Sequence, residues 1–115
     1  MQWTVGRKQW TVATLNEVVD AELEGLPADL RARFAYISGL IEEFGLERLK
    51  EPHVKHVRGP LWEMRLKGRD GISRALYVTA IGRRVVVVRV FLKKTSKTPA
   101  REIELALKRA KELLP

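Results

Sequence analysis

The chain has 115 residues, which is enough for one domain with a single hydrophobic core. Its hydrophobic share of 45% and its charged share of 31% are those of a folded protein and argue against intrinsic disorder. It contains no cysteine, which excludes disulfides and thiolate metal sites.

The net charge of +8 is concentrated in the second half of the chain. Residues 61–115 carry 14 Lys or Arg against 5 Asp or Glu, whereas residues 1–60 carry 8 against 9. Such an asymmetry favours a polyanionic partner. A cysteine-free chain with neither a membrane-spanning apolar run nor the apolar core of a signal peptide predicts a cytoplasmic protein.

The first predicted element is a short strand. The triplet Trp-Thr-Val occurs twice, beginning at Trp3 and at Trp10. Only the second copy leads through alternating residues into a helix start, so we predict the strand at residues 10–15. Residues 1–9 are then an N-terminal extension, and residues 10–115 are a single domain.

Two helices are predicted next. Asn16 is a good N-cap, because its side-chain oxygen can accept from free backbone N–H groups of the first turn, and this helix runs to about Glu24. Pro27 favours the start of a second helix, and Gly45 is suited to end it. The second helix has an apolar stripe at helical spacing, formed by Leu30, Phe34, Ile37, Ile41 and Phe44.

The second half of the chain is predicted to form strands. They follow a connection over residues 46–60 that is partly extended at 53–57. Strands are predicted over residues 61–67, 72–80 and 84–92, separated by turns at 68–71 and 81–83. The first of them has an apolar face and a charged face, formed by Trp62, Met64 and Leu66 and by Glu63, Arg65 and Lys67. The third is almost unbroken Val, Phe and Leu, which is typical of a central strand covered on both faces.

The last predicted element is a C-terminal helix. Thr98 can cap it, and Pro99 is tolerated at its first position. Its apolar stripe consists of Ile103, Ala106, Leu107, Ala110, Leu113 and Leu114. The predicted fold class is α+β: a small, mostly antiparallel sheet packed on one face by the N-terminal helical hairpin, with the C-terminal helix beside it.

Conventional catalytic motifs are absent from the sequence. His53 and His56 stand three residues apart without a third ligand at a suitable spacing, so no metal site is predicted. There is no Gly-rich phosphate loop, no serine motif of the hydrolase type and no cysteine nucleophile, and we predict no cofactor. What remains is a set of cations that the strand order brings towards one end and one face of the sheet, namely Arg65, Lys67, Arg74, Lys93, Lys94 and Lys97. These cations either keep a strand face soluble or bind a polyanion.

Strand alternation constrains three further side chains. Arg74 shares its strand face with Leu76 and Val78, so it either lies beyond the covered part of the core or is re-aimed by a bulge. Tyr77 lies on the opposite face, where it either belongs to the core or contacts a ligand. Trp62 is expected in the core, with the other apolar residues of its strand face, and not as a base-stacking platform.

The second half of the chain resembles a known family. The resemblance rests on the order and spacing of three pieces: Leu61-Trp62-Glu63-Met64-Arg65, then Arg74 with Tyr77, then Phe91-Leu92-Lys93-Lys94-Thr95 with Lys97-Thr98-Pro99. Together they resemble the phage-derived, Gp49-like branch of the RelE/HigB toxins of bacterial toxin-antitoxin pairs. The resemblance extends loosely back to about Trp10, and the fold it implies agrees with the architecture predicted above.

The resemblance implies that the protein is the toxin of a type II toxin-antitoxin system, an endoribonuclease that cuts messenger RNA in the ribosomal A site. Its partners would be messenger RNA, the ribosome and a cognate antitoxin, expected to be a helix-turn-helix protein with an acidic toxin-binding surface. The reaction expected of the family is attack of the ribose 2′-OH on the adjacent phosphate, without a metal.

Such a reaction needs a base for the hydroxyl proton, cations at the transition state and an acid for the leaving 5′-oxygen. The expected catalytic residues are Arg65, Lys67, Arg74 and Lys93, and the expected nucleic-acid-binding residues are Lys94, Lys97 and Tyr77. A lysine acts as a base only where neighbouring cations or burial favour its neutral form, and Lys67, Lys93 and Lys94 are the candidates. Arg65, Arg74 and Lys93 are expected on a charged face and not in the core.

Two alternative functions stay open. ParE-type relatives of the same fold poison DNA gyrase without cutting RNA, and a basic RNA- or DNA-binding domain need not be toxic. The presence of Arg65, Arg74 and Lys93 favours the nuclease over the gyrase inhibitor.

Overall fold

The computed structural model describes residues 10–50, 53–69, 71–93 and 97–113, and the predicted N-terminal extension over residues 1–9 lies outside these ranges. The elements follow in the order β1 Thr11–Thr14, α1 Glu17–Glu24, α2 Ala28–Phe44, a short 3₁₀ helix Leu46–Arg48, β2 Val54–Arg58, β3 Leu61–Lys67, β4 Ile72–Ala80, β5 Arg84–Lys93 and α3 Ala100–Ala110. β2 forms within the connection that the sequence predicts to be partly extended. None of the described helices is both long and apolar enough to cross a membrane.

The described strands form one sheet in the order β1-β5-β4-β3-β2. β1 pairs with β5 in parallel, and every other neighbouring pair is antiparallel, which confirms the prediction of a mostly antiparallel sheet. β5 lies between β1 and β4, and its valines are buried on both faces. This interior position explains the continuous apolar run of its sequence.

The helical hairpin formed by α1 and α2 covers one face of the sheet. Asn16 caps α1 as predicted, because its Oδ1 accepts from the backbone N–H groups of Val18 and Val19 at 3.0 and 3.2 Å. The apolar stripe of α2 is buried at Leu30, Ile37 and Ile41 and partly buried at Phe34, whereas Phe44 is exposed where the helix ends before Gly45. The stripe packs on sheet residues that include Met64, Leu66, Ala75, Tyr77, Val85 and Val87.

Helix α3 covers the opposite face of the sheet. Its buried residues Ile103, Ala106 and Ala110 pack with sheet residues that include Leu61, Leu76, Val78, Val86, Val88 and Phe91. The alternation along β5 separates the two cores, since Val85 and Val87 face the hairpin and Val86 and Val88 face α3. The sequence predicts a C-terminal helix beside the sheet, and the structure shows that it covers the face opposite the hairpin.

The start of α3 differs from the prediction. The helix begins at Ala100, after Pro99, and no side chain caps it. The Thr98 hydroxyl instead donates to Glu63 Oε1 at 2.6 Å. The prediction that Thr98 caps α3 is wrong, because Pro99 occupies the N-cap position and Thr98 lies one residue before it.

Four charged side chains join α1, β5 and α3. Arg89 contacts Glu22 at 2.8 Å and Glu102 at 2.6 Å, and Arg109 contacts Glu22 at 2.9 Å. Glu22 Oε1 also accepts from the backbone N–H of Val90 at 3.1 Å. Since β1 pairs with β5 only as far as residue 87, this contact satisfies part of the strand edge beyond β1.

Candidate active site

The strand register brings four of the predicted cations together. Arg65 on β3 is the direct cross-strand partner of Arg74 on β4, and Lys67 on β3 and Lys93 on β5 both pair with Ile72. Cross-strand partners lie on the same face of a sheet, and alternation puts all four side chains on the face that α3 covers further along. We call Arg65, Lys67, Arg74 and Lys93 the basic face.

The four residues of the basic face differ in burial. Lys67 is exposed, Arg65 and Lys93 are half-buried, and Arg74 is only 4% exposed. Arg74 lies at the end of the α3-side core, and no bulge re-aims it, because the register shift between β4 and β5 falls further along, between Leu76 and Tyr77. The prediction that Arg74 stands on a charged face outside the core is therefore wrong, since this side of β4 is covered at Arg74.

Arg74 is balanced by a buried acid. Its Nη1 donates to Glu63 Oε2 at 2.5 Å, and Glu63, like Arg74, is 4% exposed. Burial lowers the pKa of the Arg74 guanidinium, the charge of Glu63 acts in the opposite direction, and the neighbouring Arg65 lowers the pKa further. An arginine remains protonated under these conditions, so the pair is a buried ion pair.

Two guanidinium nitrogens on this face have no hydrogen-bond partner among the described residues. They are Arg65 Nε and Arg74 Nε, and both are shielded from solvent. A buried donor without an acceptor costs on the order of 1–3 kcal/mol, and more when it is charged. The oxygens of a phosphate would satisfy such donors, because the guanidinium fork matches phosphate geometry. Four cations on one face could also attract an anion through charge alone.

The remaining predicted cations lie along the connection from β5 to α3. Lys97 is exposed and directly precedes Thr98, whose bond to Glu63 keeps this part of the connection next to the basic face. Lys94 lies outside the described residues. Within the described ranges no group of three His, Asp or Glu side chains is placed to hold a metal ion.

The structure separates Tyr77 from the basic face. Tyr77 is 1% exposed and packs in the core beneath the helical hairpin, on the other side of the sheet from Arg74. Burial raises the pKa of its phenol far above the ordinary value, so the hydroxyl stays neutral. This placement corrects the expectation that Tyr77 contacts nucleic acid together with the cations.

Trp62 lies outside the core in which the sequence predicts it. It is 39% exposed, because it lies at the beginning of β3 beside the edge strand β2. The ring of His56 packs edge-on against the Trp62 ring, with 5.1 Å between the ring centroids. Here Trp62 borders an open cavity of about 320 Å³, on the hairpin side of the sheet, which is lined by Trp10, Leu46, Glu47, Leu49, Val54, Trp62 and Tyr77.

Sequence reasoning did not identify Glu63 and Thr98 as parts of the site. The alternation of β3 places Glu63 on the same face as Arg65, and that parity was the available signal. Its burial depends on partners 11 and 35 residues away, Arg74 and Thr98, which no local pattern indicates.

Comparisons with known proteins agree with this architecture. A family model described as phage-derived protein Gp49-like matches residues 21–111. Among solved structures, the chain is similar to a chain of the archaeal RelE-RelB complex from Pyrococcus horikoshii OT3, with a TM-score of 0.53 and 18% sequence identity over 76% of this chain and 99% of that chain. At this identity the similarity shows a shared fold, which confirms the predicted RelE-like α+β architecture. No curated protein matches the chain.

Proposed function

The chain belongs to the phage-derived Gp49-like protein family, and on that premise we propose that it is the toxin of a type II toxin-antitoxin pair and cleaves messenger RNA on the ribosome. The observation that supports this proposal best is the convergence of Arg65, Lys67, Arg74 and Lys93 on one face of the sheet. A fold shared with a chain of a RelE-RelB complex is consistent with it.

The proposed reaction is attack of a ribose 2′-OH on the adjacent phosphate, which releases the 5′-oxygen of the next nucleotide. Negative charge accumulates on the phosphate oxygens in the transition state, and preorganised cations stabilise it. Arg65 and Arg74 are assigned to these oxygens, because they are direct cross-strand partners on the basic face. Lys97 is assigned to the backbone phosphates of the neighbouring nucleotides.

The proton-transfer steps are assigned to Lys67 and Lys93. Both pair with Ile72, from the strands on either side of β4, so their Cα atoms are about 10 Å apart, or two strand spacings. Both lysines lie two residues along the sheet from the Arg65–Arg74 pair, and their long side chains can approach a phosphate held there from different strands, as a base and an acid require. Tyr77 has no part in this assignment, because it lies on the other side of the sheet.

We expect cleavage to require the ribosome, because the basic face has few groups suited to proton transfer. Lysines of this kind are poor bases unless their neutral form is favoured, and the acid of the site, Glu63, is already bonded to Arg74. We expect the ribosome to supply the alignment of messenger RNA that this face lacks alone. The other proposed partner is a cognate antitoxin, and both imply a cytoplasmic location.

The test is incubation of the purified protein with a defined message, either free or on translating ribosomes. We expect cleavage at codon-defined positions on ribosomes, little cleavage of free RNA, and products ending in a 2′,3′-cyclic phosphate and a 5′-hydroxyl, as 2′-OH attack requires. DNA supercoiling is assayed in cells that express the protein. Intact messages together with trapped gyrase complexes would overturn the nuclease proposal in favour of a gyrase inhibitor, and rapid, unpositioned degradation of free RNA would contradict the ribosome requirement.

A further inference from the structure

We infer that Glu63 is a positioning residue of the basic face, an inference that rests on the proposed function. Its carboxylate is buried and both oxygens are bonded: Oε2 accepts from Arg74 Nη1 at 2.5 Å and Oε1 accepts from the Thr98 hydroxyl at 2.6 Å. One side chain of β3 thus bonds both to Arg74 of β4 and to Thr98, two residues before α3.

Stability does not account for a buried ion pair at this place. Removing two charges from water is costly, and replacing such a pair by apolar side chains of similar volume is often neutral or stabilising. The neighbours on this face, Leu61 and Leu76, are fully buried and apolar. An apolar pair at positions 63 and 74 would therefore extend the existing core without any cost of desolvation.

Thr98 also bonds to the site and makes no side-chain cap for α3. A threonine just before a helix normally stabilises it by capping a free backbone N–H. Here α3 has no side-chain cap, and the Thr98 hydroxyl is directed to Glu63. This hydrogen bond therefore fixes Thr98, and with it the start of α3, to the basic face.

The consequence for the reaction is that Arg74 is oriented before the substrate arrives. With Nη1 bonded to Glu63, the guanidinium is restrained, while its Nε has no partner among the described residues. Glu63 also offsets one positive charge, so it does not strengthen ordinary phosphate binding. Its contribution should therefore appear in kcat and not as a lower KM.

The experiment compares Glu63→Gln, Thr98→Val and Thr98→Ser in cleavage of messenger RNA on ribosomes. We expect kcat of Glu63→Gln to fall by about a hundredfold, the usual consequence of misplacing a catalytic group, with KM unchanged or lower. Thr98→Val should lose roughly tenfold in kcat, since it removes a hydrogen bond to a charged group, and Thr98→Ser should restore the activity. Glu104→Gln, an identical charge change at an exposed position of α3, is the matched control and should behave as wild type.

A second measurement does not depend on activity. Nuclear magnetic resonance of the arginine side chains should show a slowly exchanging Arg74 Nε–H in the wild type and a broadened or lost signal in Glu63→Gln. Hydrogen exchange at Glu102 and Ile103, whose N–H groups donate to Pro99 O, should be faster in Thr98→Val. These signals distinguish failure of the proposed function from failure of the positioning role. If the wild type cuts no message, the proposed function is wrong, but the effect of Glu63 on Arg74 can still be measured.

Three outcomes would overturn the positioning role. One is wild-type kcat in Glu63→Gln, another is a loss confined to a raised KM, and the third is an Arg74 Nε–H signal that does not change in Glu63→Gln. If Glu63→Gln does not fold, Thr98→Val decides, since it keeps the ion pair and removes only the tether, and wild-type kcat in that variant contradicts the inference.

Discussion

Arg65 and Arg74 face each other directly across β3 and β4, so two guanidinium groups occupy neighbouring positions on one face of the sheet. Like charges in such a pair destabilise a sheet by roughly 0.2–1 kcal/mol. The two residues are not equivalent, because Arg74 is buried against Glu63 whereas Arg65 is half-buried. This difference separates the expected effects of the two substitutions.

Arg65→Ala should abolish most of the activity and leave the fold intact. Loss of one preorganised contact to a transition state costs about 3–4 kcal/mol, on the order of a hundred- to a thousandfold in rate. The melting temperature should stay the same or rise slightly, since a repulsive cross-strand neighbour is removed. Primer extension and thermal unfolding measure the two effects. Arg31→Ala, at an exposed position of α2 on the other side of the sheet, is the control, and equal losses of activity in both variants would show that only net charge matters.

Arg74→Ala should behave differently, because it leaves the Glu63 carboxylate buried without its ion-pair partner. Breaking a buried pair in this way costs about 3–5 kcal/mol of folding free energy. The double variant Glu63→Leu with Arg74→Met should recover most of that stability and none of the activity. Urea unfolding and cleavage assays on the three proteins check this, and a stable, folded Arg74→Ala protein would mean that the pair is not buried in solution.

Tyr77→Phe should leave cleavage unchanged within about twofold, because the hydroxyl lies on the far side of the sheet from the basic face. The substitution keeps the ring that fills the core beneath the hairpin. The measurement is kcat on programmed ribosomes beside that of Arg65→Ala. A loss of a hundredfold or more in a protein of normal stability would place Tyr77 in the reaction and refute the separation of the two faces.

Local pattern predicts most of this fold from the sequence. The unbroken apolar run of β5 and the stripe of α2 predict which residues are buried, and the structure largely confirms them. The alternation of β3 predicts the burial of Met64 and Leu66 correctly, but Glu63 is buried on the face predicted to be charged and outward. The face of the sheet that α3 covers is not predicted. The apolar stripe of an amphipathic helix shows that the helix packs on something, but it does not show on which face of the sheet. Trp62 is misplaced for a related reason, since parity gives the face of a strand but not whether that end of the strand is covered.

The candidate site is predictable in part. Arg65 and Arg74 converge as the strand order requires, because the register of a hairpin follows from its turn and its alternation. The burial of Arg74 is not predictable, since it depends on Glu63 and on a hydroxyl of a distant connection. Contacts of this kind arise from tertiary packing and leave no periodic signal in the sequence.

Glu22→Gln should weaken the fold at neutral pH and make no difference in acid. Burial alone would raise the pKa of Glu22, but hydrogen bonds from Arg109 and from the Val90 N–H, together with the charge of Arg89, lower it below the ordinary value of 4.5. A lowered folded-state pKa contributes stability that is present above the unfolded value and lost as the pH falls through the folded value. The difference in urea midpoint between wild type and variant should therefore be largest at neutral pH and disappear as the pH falls through the folded-state pKa of Glu22. Glu24→Gln, at an exposed position of the same helix, is the control, and a difference that persists in acid would rule out the ion cluster as its cause.

The proposed antitoxin should bind the basic face through charge. Residues 61–115 have a net charge of +9, so an acidic segment laid over this half would release counterions and its affinity would fall as salt rises. Coexpression with the protein encoded by the adjacent reading frame should give a stable complex, and titration calorimetry at several salt concentrations gives the dependence. Lys67→Ala should weaken the complex and flatten its salt dependence, because Lys67 is the exposed cation of the basic face, while Arg31→Ala on the hairpin side should leave both unchanged. A complex that is insensitive to salt, or one weakened by Arg31→Ala and not by Lys67→Ala, would place the antitoxin on the helical hairpin and refute the electrostatic account.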